Sequence, residues 1–340
     1  MAFALLTACN NTENEVAKML LPEIDNPEAY LFTYFTGGKE ENQEALRFAV
    51  SEDAVNWHAL NGGEPVVPSS EISNTGGIRD PHILRGANGS GYYIVATDMN
   101  TFKNGWGPNP GIVMLHSDDL VNWTSSAIDF TKTYPEYFGD VERVWAPQTV
   151  YDAGVDKYLV YFTIGFRDRS KPNSVFFCAY ANKDFTGFEA MPELMWAPEH
   201  GAIDGDIVAD PEGLLHFFSK GNIPGDTPRS GKSGIRQATS ASLQGPWVEA
   251  EGFVDAYCDT PTNVEGSGIF KLNPKDCKNG ETEYILMYDL YTSGRYEFQR
   301  SNDLWNFTSE PESFTKDFAP RHGTVMPISR EELERLEAAF

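Results

Sequence analysis

Three acidic residues spread along the chain could do chemistry together: Asp80 in Arg79-Asp80-Pro81, Asp204 in Ile203-Asp204-Gly205-Asp206, and Glu265 in Glu265-Gly266. Each opens a strand-like apolar run. Burying a carboxylate is costly unless something replaces its lost hydration, so acids in such runs need an explanation. Two carboxyl groups flanking a glycosidic bond can cleave it with inversion, one protonating the leaving oxygen and the other activating a water on the opposite face. The acid must keep its proton near neutral pH, and a third carboxylate close by helps, because like charges resist ionising together. Asp-Pro alone is a turn opener, so Asp80 counts only within the set. Asp206 competes with Asp204 for the third place, since strand residues two apart share a face.

For distant residues to meet, the chain must return repeatedly to one place, and a repeat with a period of about 60 residues provides that return. Turn segments end in aromatics at Trp57, Trp123, Phe188, Trp247 and Phe307. Two strand-like runs rich in Val, Ile, Tyr and Phe precede each turn: 30–35 with 45–50, 92–96 with 111–116, 158–163 with 174–180, 214–219 with 234–239, and 284–288 with 295–300. A further strand with a polar or acidic start recurs at 79–84, 145–150, 203–208, 264–269 and 321–326. Five units of about four strands predict an all-β fold, a five-bladed β-propeller. The last strand, 321–326, lacks partners downstream and the first unit lacks an innermost strand upstream, so the carboxy-terminal strand should close the amino-terminal blade and leave no long sheet edge exposed. One domain over 28–340 follows, ending in a short helix announced by Ser329-Arg330-Glu331-Glu332. The turn acids and amides should be structural, bonding local backbone.

The innermost strands of such a ring bring Asp80, Trp145, Asp204, Glu265 and His322 to its axis. Trp145 would stack on a sugar or wall its pocket. Asp98, Trp106, Phe166 and Arg295 lie just beyond strand ends, where a substrate rim should be. The loops 99–110 and 221–232 are long enough to wall off a pocket.

The net charge of −24 over 340 residues argues against nucleic acid or an anionic membrane surface as partner and suits a neutral oligosaccharide or polysaccharide. The start, Met1 to Cys9 followed by a polar run, reads as a truncated export signal. Leu6-Thr7-Ala8-Cys9 resembles a lipobox, so 1–27 is expected to be leader and linker, with a lipid anchor at Cys9 and a place in the bacterial periplasm or outer membrane. Cys178 is expected to be a buried thiol. Cys258 and Cys277 lie in loop-like sequence, and export would permit a disulfide between them.

The ordered set of Asp80-Pro81, Trp145-Ala146-Pro147, Ile203-Asp204-Gly205-Asp206, Glu265-Gly266 and Arg321-His322-Gly323 resembles glycoside hydrolase family 43, five-bladed propeller arabinofuranosidases and xylosidases, over nearly all of 28–328. The resemblance implies Asp80 as general base, Asp204 as pKa modulator and Glu265 as general acid, with exo-action on arabinose- or xylose-containing glycans. It implies no required cofactor, a monomer, and His322 on an axis where some members hold a structural calcium. Two alternatives remain. A non-catalytic cell-surface glycan-binding propeller would not need three axial acids. The sucrose- and fructan-cleaving propellers expect an early Asn-Asp-Pro-Asn and a Glu-Cys acid, and neither is present.

Overall fold

Short runs dense in β-branched and aromatic residues, punctuated by Gly, Asp and Asn turns, form twenty strands in the computed structural model, which describes residues 21–38, 40, 42–222 and 233–340. The lipobox with Cys9 and most of the 221–232 loop lie outside the described residues. Strands β1 (Ala29–Tyr34), β2 (Arg47–Ser51) and β3 (Asn56–Ala59) begin the first blade. The second is β4 (Ile78–Arg85), β5 (Tyr92–Asp98), β6 (Gly111–Ser117) and β7 (Thr124–Asp129). The third is β8 (Val141–Asp152), β9 (Lys157–Phe166), β10 (Asn173–Tyr180) and β11 (Glu193–Trp196). The fourth is β12 (Ala202–Ala209), β13 (Leu215–Asn222), β14 (Ser233–Ser240) and β15 (Val248–Glu249). The fifth has β16 (Glu265–Lys271), β17 (Tyr284–Leu290) and β18 (Arg295–Ser301). Only isolated bridges, Phe298 to Glu312 and Ser301 to Phe307, finish its outer edge. Pro311 beside them cannot donate to a ladder.

The chain then returns to the first blade twice. β19 (Thr315–Lys316) pairs parallel with β3 on the outside, and β20 (Thr324–Ile328) pairs antiparallel with β1 on the inside, giving the order β19-β3-β2-β1-β20. The five-bladed propeller closes as the repeat pattern requires. The closing strand starts later than the predicted 321–326, so Arg321, His322 and Gly323 form the approach to it. Gly323 passes so close to β1 that a Cβ there would sit 2.0 Å from the Thr33 carbonyl.

Five apolar clusters fill the five seams between blades, and each takes one repeat aromatic: Trp57, Trp123, Phe188, Trp247 and Phe307. Three of the turns that aim these rings are held by acids. Asp119 Oδ1 accepts from the backbone N–H groups of Val121 (2.9 Å) and Asn122 (2.7 Å), and Asp53 and Asp303 do the same in their turns. The final helix, Arg330–Ala339, carries the predicted capping box at Ser329 and Glu332, a feature that stabilises a helix by about 1 kcal/mol. It buries Leu333 and Leu336 in the seam between the first two blades, and Glu332 receives Arg85 of β4 at 2.5 and 2.9 Å. No disulfide joins Cys258 to Cys277, so the bridge considered from sequence is not formed. Cys178 is buried, as expected.

Four of the five innermost strands share a defect. β4, β8, β12 and β16 each slip register, between Arg79 and His82, Trp145 and Gln148, Ile203 and Asp206, and Glu265 and Gly268. Within each slip one residue has left-handed backbone: Asp80 (φ 50°), Ala146 (44°), Asp204 (55°) and Gly266 (65°). Only the last is a glycine, so three of these bulges store strain, about 1–3 kcal/mol per residue. A bulge sets two residues against one and re-aims the side chains around it.

Candidate active site

The bulges turn the ends of the inner strands into a cavity of about 210 Å³, open to solvent, at one mouth of the channel. Asp80, Asp204 and Glu265 line it together, from three different blades, with Trp145 and His322. Thr97 of β5 donates to Asp80 Oδ2 (2.9 Å) and its hydroxyl oxygen accepts from the backbone N–H of Ala146 (2.8 Å), tying the second blade to the third. Asp204 Oδ2 accepts from the backbone N–H of Gly266 (3.1 Å), and Ser267 donates to the Asp204 carbonyl (2.5 Å), tying the fourth to the fifth. Gly266 is required twice over, by its φ of 65° and because a Cβ would stand 2.9 Å from His322 Cβ.

Charge is distributed unequally among these groups. Burial opposes ionisation of Asp80, but His322, Arg79 and Thr97 outweigh it and hold the carboxyl below its ordinary value. Burial pushes Asp204 up to about 6; His322 and Lys220 pull against this, and Glu265 and Asp80 add to it. Burial also opposes a charge on His322, yet Asp80, Asp204 and Glu265 overcome it and raise the imidazole to about 9. His322 Nδ1 stands 3.4 Å from Asp80 Oδ1, an ion-pair distance without good hydrogen-bond alignment. At neutral pH the site therefore holds an ionised Asp80, an imidazolium, and an Asp204 that titrates nearby. Glu265 is gripped by cations: Lys220 donates to Oε2 at 2.6 Å and Arg321 stands 3.5 Å from Oε1.

Of the rim residues, Trp145 and Trp106 line the cavity. Trp145 donates from Nε1 to Asn109 and carries the Arg143 guanidinium 5.0 Å from its ring centroid. Trp106 is 69% exposed. Three predicted contacts are corrected. Asp98 is buried and accepts from Ser73, from Asn74 N and from Thr75, stitching the 73–77 loop. Phe166 ends β9 fully buried against Phe138 and Phe177, because its side of the strand faces the seam and not the channel. Arg295 starts β18 away from the axis, paired with Glu297 at 3.2 Å and resting on Tyr257. Asp206 does not share the face of Asp204 either. The bulge between them sends Asp206 into a separate cavity at the other end of the channel, where Oδ2 accepts from Ile269 N (2.7 Å).

Sequence reasoning missed Arg79, Lys220, Asp289 and Arg321 as cavity residues. Two of them sit opposite residues that it had marked, Lys220 paired with Ile203 and Asp289 with Glu265. A charged residue ending the second strand of a blade was the available signal. Arg321 bonds Asp289 through Nε, so charges alternate along Lys220, Glu265, Arg321 and Asp289. Burial raises Asp289 to about 6 against the pull of Arg321.

Calcium prefers six to eight oxygen ligands. Among the described residues no group of three or more His, Cys, Asp or Glu side chains converges to hold a metal ion.

A family model described as a probable glycosyl hydrolase domain, related to glycoside hydrolase family 43, matches residues 25–334. An α-L-arabinofuranosidase from Bifidobacterium longum subsp. longum is 27% identical over an alignment of 267 residues, gaps included, that covers 70% of this chain and 25% of that protein. The chain thus spans a quarter of that relative's length. Among solved structures, an endo-arabinase from Bacteroides thetaiotaomicron aligns with a TM-score of 0.55 at 15% identity, covering 92% of this chain and 95% of that one. An exo-β-1,3-galactanase from Clostridium thermocellum aligns with a TM-score of 0.60 at 12% identity, covering 84% and 59%. At such identities these structures share the fold.

Proposed function

Because the chain belongs to the glycosyl hydrolases related to glycoside hydrolase family 43, we propose that it is a glycosidase that removes single arabinose or xylose units from glycan ends or branches with inversion of configuration. The observation that carries this reading is the convergence of Asp80, Asp204 and Glu265 on one cavity open to water. Inversion needs a base that is ionised and an acid across the sugar from it. Asp80, kept ionised by His322 and Arg79 despite burial, takes a proton from the attacking water. As the glycosidic bond breaks, Glu265 gives its proton to the leaving oxygen. Lys220 holds Oε2 at 2.6 Å whereas Arg321 stands 3.5 Å from Oε1, so delivery falls to Oε1, the more loosely held oxygen. Asp204 reaches the Glu265 strand through Gly266 and orients the acid.

Exo-action is supported by size. Sites for drug-sized ligands run to roughly 300–1,000 Å³, whereas this cavity of about 210 Å³ has room for one sugar residue. The arabinofuranosidase relative favours a pentose.

The test is hydrolysis of 4-nitrophenyl α-L-arabinofuranoside and β-D-xyloside, with the first-formed anomer read by NMR. Glu265→Ala should lose about 10²–10⁴-fold in kcat on natural linkages and far less on aryl glycosides, whose leaving group needs no proton. Equal losses on both kinds remove Glu265 from the acid role, and a retained anomer removes Asp80 from the base role.

A further inference from the structure

One wall of the cavity contains a charged group that the proposed mechanism does not consume. The Arg79 guanidinium lies between two rings, 4.6 Å from the Phe35 centroid and 5.2 Å from that of Trp106. Glu44, 3% exposed, fixes it from behind, with Arg79 Nη1 donating to Glu44 Oε1 at 2.7 Å. The same carboxylate holds the loop that carries Trp106. Thr101 donates to Glu44 through its hydroxyl (2.6 Å) and through its backbone N–H. Among the described residues, no other protein acceptor bonds the Arg79 guanidinium, and the side chain lines the cavity next to Asp80. An arginine contacted by two rings and bonded by one carboxylate presents its remaining N–H groups as a planar fork, which suits two oxygens in one plane. Its charge is paired with Glu44 and also faces the ionised Asp80, so the fork offers donors without a net call for a further anion.

We propose that Arg79 is a specificity-determining residue that reads a pair of neighbouring hydroxyls on a neutral sugar, and that Glu44 is its positioning residue, fixing Arg79 and Trp106 as one unit and discouraging acidic sugars. This rests on the cavity being the sugar pocket. It goes further in naming the chemical class admitted and the residue that selects it.

The test measures binding apart from turnover. Free L-arabinose, D-xylose and D-glucuronic acid are titrated into the full chain by calorimetry, and KM and kcat are measured on aryl pentosides. Arg79→Met should weaken pentose binding and raise KM about 10- to 100-fold, the range for a hydrogen bond from a charged donor. Arg79→Lys should not restore it, because a point charge cannot fork. Glu44→Gln keeps an acceptor for Arg79 but removes the balancing charge, so it should shift preference from xylose towards glucuronic acid, a change that loss of a merely structural contact would not produce. Breaking a buried pair can unfold a protein, whereas replacing both partners with apolar groups is often tolerated. The Arg79→Met/Glu44→Leu double variant therefore serves as the folded control, and it too should lose pentose binding. Pentose binding by Arg79→Met or by the double variant at the wild-type level overturns the proposal, as does a wild-type chain that binds no neutral pentose or prefers the uronic acid. A wild-type chain that binds pentoses through Arg79 yet hydrolyses none would leave this inference standing and sink the catalytic assignment.

Discussion

The two ends of the central channel are lined by the same inner strands, and they treat buried charge in opposite ways. At the open mouth stand Asp80, Asp204 and His322. At the other end, two residues further along the same chain segments, stand His82, Asp206 and Thr324, in a smaller cavity of about 80 Å³ that Leu21–Ile24 also line. Burial is severe at both. At the far end it prevails: it drives His82 down to about 3, helped by the charge on His322, and Asp206 up to about 7. At the mouth, partners prevail for Asp80 and His322, which pair as ions, one held low and the other high. Depth alone neutralises a titratable group, and it takes an opposing charge within reach to keep one ionised. Acid–base chemistry belongs where that opposition exists.

The sharpest way to break this contrast is a pair of like substitutions two residues apart. Asp204→Asn should lower kcat/KM about 10²–10⁴-fold, whereas Asp206→Asn, whose amide oxygen can still accept from Ile269 N, should stay within about threefold. Steady-state kinetics on one aryl pentoside decides it, and comparable losses would mean that the two ends act as one site. Gly266→Ala probes the hinge of the contrast, since it strains a left-handed residue and crowds His322. A destabilisation of about 1–3 kcal/mol, seen in urea melts, should come with a loss of activity greater than the unfolded fraction explains. The smallest effect concerns pH. Asp206 has a folded pKa of about 7 against an ordinary 3.8, so the folded state binds more protons between those values and stability falls as pH rises through that window. Asparagine cannot titrate. The melting temperature of Asp206→Asn, taken relative to the parent, should therefore climb between pH 5 and pH 8, and a constant difference would mean that Asp206 is not held neutral.

Much of the ring was legible because each seam needs an aromatic plug, and the turn chemistry that aims the plug, Ser-x-Asp-x-x-Asn before Trp57 and Trp123, is written in residue types. Return of the chain to its first blade was legible because both ends lacked partners. The bulges were not. Asp80, Ala146 and Asp204 adopt backbone that residue type disfavours, so the alternation rule that places i and i+2 on one face misfiled Asp206. The rim was legible only where an aromatic stood in a long loop, as Trp106 does. Asp98 and Phe166, expected just beyond strand ends, are instead the last residues of β5 and β9, and one is absorbed by a neighbouring turn and the other by a seam. Lys220 and Asp289 come into the site from second strands, through cross-strand register that a linear reading does not supply.

The way β20 joins β1 also couples the ring to the chemistry. Arg321 and His322 lead into β20, so the strand that gives the first blade its inner wall also delivers the cationic neighbour of Asp80. Substitutions that loosen the pairing of β1 with β20 should therefore erode shape and turnover together.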